Sequence, residues 1–220
     1  MIAFYVALGL TVAALAAAFL LARPQPAPDT ASKSLAYALA AAALSFLIAL
    51  IAPEPVSAFY KGAILLGLLI TLVATGLLFS RFLPDYAAHA HLLWVYLIYF
   101  TGFTAHTRLQ MPVLWVLLVV VAAAILYWQL SRYLAEVWGA VMAYGLILAL
   151  TAWQALELVA QNSAAPWTWA ALAGIVLAIT AHTLQAIQRY RRPLTHLPAA
   201  QIAFLLAQTA MAWSVWGRLG

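Results

Sequence analysis

The residues able to do chemistry in this chain are few and lie inside apolar stretches. They are His89 and His91, Gln154 and Glu157, His182 and Gln185, and finally Gln201 and Gln208. An ionisable group within a lipid-spanning stretch is costly, so each is a candidate for function. Histidine gives or takes a proton near neutral pH. Glutamine offers donors and an acceptor without charge, and serves either a ligand or a bond between helices. Ala178, His182, Gln185 and Arg189 recur at helical spacing as one polar stripe, and Gln201 and Gln208 share a face. Gln154, Glu157 and Gln161 do likewise, with Glu157 within reach of headgroup water. His89 and His91, two apart, point to different sides of a helix and make a poor metal pair. There is no phosphate-binding glycine loop, zinc-protease helix or nucleophile-elbow serine. Cysteine is absent, which excludes disulfides, thiol catalysis and thiolate metal sites. No cofactor or metal is expected.

The elements that position these residues are membrane helices. Of 220 residues, 68% are hydrophobic and 7% charged, and the mean hydropathy is +1.02. A soluble domain carries about 25% charged residues, so the solvent of this chain is lipid. Apolar runs of roughly 20 residues cross the hydrocarbon core as helices. They fall at 2–22, 34–52, 62–80, 86–105, 112–131, 136–159, 166–187 and 198–217. Pro24, Pro26 and Pro28, then Pro53 and Pro55, Pro84, Pro112, Pro166 and Pro193 mark their boundaries. No period-2 alternation supports a transmembrane barrel. The expectation is an all-α polytopic bundle of about eight transmembrane helices in one domain, residues 1–220.

Arg23, Lys33, Arg81, Arg132, Arg189, Arg191 and Arg192 follow odd-numbered spans, against Lys61, Arg108 and Arg218 on the other side. The positive-inside rule places the larger set in the cytoplasm and both termini on the non-cytoplasmic side. Nothing basic precedes the first apolar run except the terminal amine, so that run reads as a retained helix and not a signal peptide. The expected location is a bacterial cytoplasmic (inner) membrane. The net charge of +5 comes from residues scattered at helix ends, and no basic face with interleaved aromatics suggests nucleic acid. With this topology His91 lies about 8 Å and His182 about 10 Å in from the cytoplasmic face, Gln201 at similar depth. These three are expected to share one cavity, with Glu157 at the opposite end.

The order of short motifs resembles the YhhN-like family of multispanning proteins, which includes the lysoplasmalogenases. Ser32-Lys33-Ser34 stands where that family has Thr-Lys-Pro, and Ala90-His91-Leu92-Leu93-Trp94 is similar to its Ala-His-x-x-Tyr element. Tyr144 matches a recurring tyrosine, and Gly174 opens a segment followed by Arg189, Arg192 and Pro193. Ala207-Gln208 and Ser214 resemble the family's ending, so that the likeness covers roughly residues 32–215. The resemblance implies hydrolysis of the vinyl-ether bond of lysoplasmalogens by two carboxyl groups, one protonating the substrate and one activating water. Lys33, Gln185, Arg189, Gln201 and Gln208 are the residues expected to contact the lysolipid.

The chain departs from that pattern where the reaction matters. The family's two aspartate positions fall at Ile70-Thr71 and Ala181-His182, and neither is a carboxylate. Two readings of different class follow. One is a membrane hydrolase of lysolipids in which His91 and His182 replace the acidic pair. The other is a non-catalytic lipid-binding or scaffold protein on the same bundle. The partner in both is a membrane lipid or lysolipid, and the oligomeric state is open. A transporter would show broken helices or repeats, and neither is evident.

Overall fold

Residues 2–22, 30–79, 85–108, 121, 125, 138–190 and 199–217 are described by a computed structural model. Seven helices occupy them: α1 (Ile2–Ala22), α2 (Thr30–Leu50), α3 (Ala58–Phe79), α4 (Asp85–Thr104), α5 (Trp138–Gln161), α6 (Pro166–Tyr190) and α7 (Ala199–Trp213). Among the described residues there is no strand, and the one extended pairing is an isolated bridge between Pro55 and Trp216. Segments of α1, α3, α5 and α6 are long and apolar enough to cross a membrane, and α2, α4 and α7 contain shorter apolar stretches. The expected fifth span, 112–131, lies outside the described residues apart from Val121 and Ile125, both helical.

The bundle is apolar on its outside. Tyr5, Val12, Phe19, Phe59, Trp94, Leu146 and Trp169 are exposed, whereas the interior is built from alanines, aliphatic side chains and fully buried Tyr60, Tyr96 and Tyr99. Lipid rewards no segregation of Leu from Ala, so helix contacts rely on small residues and hydrogen bonds. Gly67 shows the consequence. A Cβ there would run into the Tyr99 ring, so glycine on α3 is what lets this ring sit between α3 and α4. At Gly174 an added Cβ would come within 2.8 Å of the Met211 side chain, and α6 and α7 approach through that gap.

Contacts along the helices fix their directions. The ring of Tyr60 lies against Phe103 and His106, while Gly67 faces Tyr99, so α3 and α4 are antiparallel. Thr151 bonds the Tyr96 carbonyl, Thr107 bonds Gln154, and Gln161 bonds the Arg108 backbone. Because both positions rise together, α4 and α5 run parallel. Ser45 with Thr209, followed by Ile48 with Trp216, makes α2 and α7 parallel as well.

Helix ends differ from expectation where side chains cap them. α3 starts at Ala58, not near Gly62, because the Ser57 hydroxyl accepts the Tyr60 amide at 3.1 Å as an N-cap. Lys61, counted above only for topology, donates to the Leu50 and Ala52 carbonyls at 2.7 and 2.9 Å and so closes the end of α2. α7 ends at Trp213, short of 217. There the Ser214 hydroxyl donates to the Met211 carbonyl, Val56 donates its amide to Val215, and Gly217 donates its own to Glu54.

Candidate functional site

The polar interior divides into two clusters, one toward the end of the bundle that carries Lys33 and one toward the end that carries Lys61. In the first, His182 on α6 is half-buried, and its Nε2 lies 3.0 Å from the Tyr96 hydroxyl on α4. The ring of His182 also meets Tyr96, Tyr144 on α5 and Phe204 on α7 edge-on, at centroid distances of 5.8, 5.1 and 5.6 Å. Four helices therefore converge on one imidazole. Tyr96 and Tyr99, three residues apart, face inward together, and the Tyr99 hydroxyl donates to Gln208 Oε1 at 3.3 Å. Thr151 holds the backbone under Tyr96 by donating to its carbonyl at 3.1 Å.

The expected site residues are thus partly assembled. His182 and Gln208 enter the cluster, Gln208 as a bond between helices α7 and α4. His91 is half-buried on α4, five residues nearer the Lys33 end than Tyr96. Five residues are about 7.5 Å along the axis and more than a third of a turn around it, so His182 meets α4 deeper than the expected common level. Gln185 and Gln201 are exposed and face outward. Lys33 and Arg189 stand in α2 and α6, and their side chains lie outside the described residues. Tyr96, the partner that α4 gives to His182, carried no sequence signal that set it apart from its aromatic neighbours.

At the position of the first missing aspartate, Thr71 is buried and donates to the Gly67 carbonyl of its own helix at 2.9 Å. At the second, Ala181 is buried beside His182. Among the described residues this cluster is built around imidazole and phenol groups. Among the described residues no group of three or more His, Asp or Glu side chains could hold a metal ion.

The second cluster corrects the expectation for Glu157. It does not reach headgroup water: it is 5% exposed, and accepts bonds from Trp153 Nε1 at 3.4 Å and Gln161 Nε2 at 3.1 Å. Gln161 also clasps the Arg108 backbone through its amide and carbonyl, at 3.1 and 3.0 Å. Glu157 helps hold Gln161, and Gln161 ties the end of α4 to α5. His106, absent from the expected list, stacks edge-on against Tyr60 and Trp167 at 5.4 and 6.3 Å in the same half.

An apolar exterior and an interior with two polar clusters, one of them a histidine–tyrosine centre among aromatic rings, define a helical membrane bundle. Residues 35–215 match the YhhN family, and the chain belongs to it. Comparison with curated proteins and with solved structures returns no match.

Proposed function

We propose that this protein is a lysoplasmalogenase-like hydrolase that cleaves the vinyl-ether bond of lysolipids with His182 as the proton-transferring group. The observation that carries this is the bond between His182 Nε2 and the Tyr96 hydroxyl inside the bundle. It fixes the imidazole, and which atom holds the proton depends on the tautomer. As the imidazolium, His182 gives a proton to the vinyl carbon remote from oxygen, leaving an oxocarbenium ion. His91, as base, takes a proton from the water that attacks the adjacent carbon. The hemiacetal then collapses to an aldehyde and a glycerol hydroxyl, so that one water is consumed and no redox partner is needed. General acid–base catalysis of this kind contributes about 10²- to 10⁴-fold.

Eight spans with both termini outside a bacterial inner membrane belong to the same proposal. The parallel course of α4 and α5 supports it, since two parallel neighbours need a return crossing between them. The seven-to-three split of basic residues supports the orientation.

The test is aldehyde release from lysoplasmalogen by the purified chain in detergent. His182→Ala and His91→Ala are expected to lower turnover at least 100-fold while the protein stays folded. Unchanged hydrolysis in both variants removes the assignment. A second reading rests on Thr71 and Ala181 standing where carboxyls are expected: the bundle binds the lipid and does not cut it. Copurified single-chain lipid without cleavage supports that reading, and cleavage by the pure protein ends it.

A further inference from the structure

Within the histidine–tyrosine cluster one hydroxyl has no partner. Tyr96 is bonded to His182, and Tyr99 to Gln208. Tyr144, on α5, is 7% exposed, and its hydroxyl makes no hydrogen bond. Its ring lies edge-on to His182 at 5.1 Å and tilted against Tyr96 at 5.8 Å. A buried hydroxyl left unbonded carries a desolvation penalty, and native interiors rarely keep one without a reason. A phenylalanine would fill the same space without that penalty. Among the described residues Tyr144 meets His182 and Tyr96 through its ring and not through a hydrogen bond of its hydroxyl, so the hydroxyl can turn to a ligand without breaking one.

We propose that the Tyr144 hydroxyl is the donor that recognises the linkage oxygen of a single-chain ether lipid, placing the atoms next to that oxygen beside His182. This rests on the hydrolase reading for its substrate class and adds the residue that positions the bond. The role is positioning. The proton goes to carbon from His182; the donor on oxygen acts in binding, is released as positive charge develops on that oxygen in the oxocarbenium ion, and acts again when the glycerol oxygen leaves.

The closing experiment reads binding, so it stands apart from hydrolysis. The full chain in nanodiscs is titrated with 1-O-hexadecyl-lysophosphocholine, a saturated ether that cannot be hydrolysed by this route, and with hexadecylphosphocholine, which lacks the glycerol ether. Tyr144→Phe is expected to weaken the ether ligand about tenfold and the glycerol-free ligand less than twofold. Equal weakening of both, or of neither, overturns the proposal. Should the variant not fold, the unaltered chain decides: it is expected to prefer the ether ligand about tenfold, and equal affinities overturn the proposal. Selective binding without aldehyde release from lysoplasmalogen leaves the Tyr144 assignment standing and removes the hydrolase. Aldehyde release without selective binding does the reverse.

Discussion

At the scale of single residues, the bond between His182 and Tyr96 is the feature on which function turns. A hydrogen bond within a protein contributes about 1 kcal/mol to stability, and this part-buried one also orients the imidazole. Tyr96→Phe is therefore expected to cost about 1 kcal/mol in unfolding and to lower kcat on lysoplasmalogen about tenfold, the rate equivalent of about 1.4 kcal/mol of lost orientation. Thermal unfolding and aldehyde release, measured on the same preparation, check both. His182 was legible in the sequence because a titratable group in an apolar run stands out. Tyr96 was not, because in a span that also holds Tyr99, Phe100 and Phe103 only the rotation of α4 against α6 decides which ring meets the imidazole. Glu157 was misread for a related reason. Its place near a helix end suggested water, but Gln161, one turn on, folds its amide back over the carboxylate while gripping Arg108.

At the scale of helices, close approach is set by glycine, and the glycines are not equivalent. Gly67 faces a rigid ring, whereas nothing lies within 4 Å of a Cβ added at Gly62 on the same helix. Gly67→Ala is expected to destabilise the protein by about 1–3 kcal/mol, the usual range for overpacking. Gly62→Ala is expected to be neutral or to stabilise by about 0.5–1 kcal/mol, since alanine loses less backbone freedom in a helix. Melting temperatures of the two variants in one detergent measure the contrast, and equal shifts would deny that Tyr99 packs against α3. Helix existence was readable from apolar runs, and Pro166 marked the start of α6 to the residue. The start of α3 was not readable, because Lys61 drew attention as a charge while Ser57 did the capping.

At the scale of the whole molecule, the chain segment after α7 is stitched to the connection between α2 and α3. Besides the backbone bridge, the Trp216 indole donates to the Ile48 carbonyl at 3.2 Å, and its ring packs against Phe4 and Trp213. Trp216→Ala removes a buried aromatic from a junction of three helices and is expected to cost about 3–5 kcal/mol, again read by thermal unfolding. Orientation is open to a clean test, because the chain has no cysteine of its own. Lys33→Cys in inside-out vesicles and Lys61→Cys in intact cells with a permeabilised outer layer are expected to react with an impermeant thiol reagent. The opposite labelling would reverse the proposed topology. The membrane character and family were legible because composition and motif order survive without any knowledge of packing, while the pairing of Tyr96 with His182 needed the assembled bundle. The central claim is that His182 protonates a vinyl-ether carbon, and it is tested most directly in heavy water. Purified protein turning over lysoplasmalogen in D₂O, with the aldehyde reduced as it forms and analysed by mass, should place one deuterium on the carbon next to the former aldehyde, and His182→Ala should abolish that product. No aldehyde from folded protein, or the same deuterated product in equal amount from the variant, would contradict it.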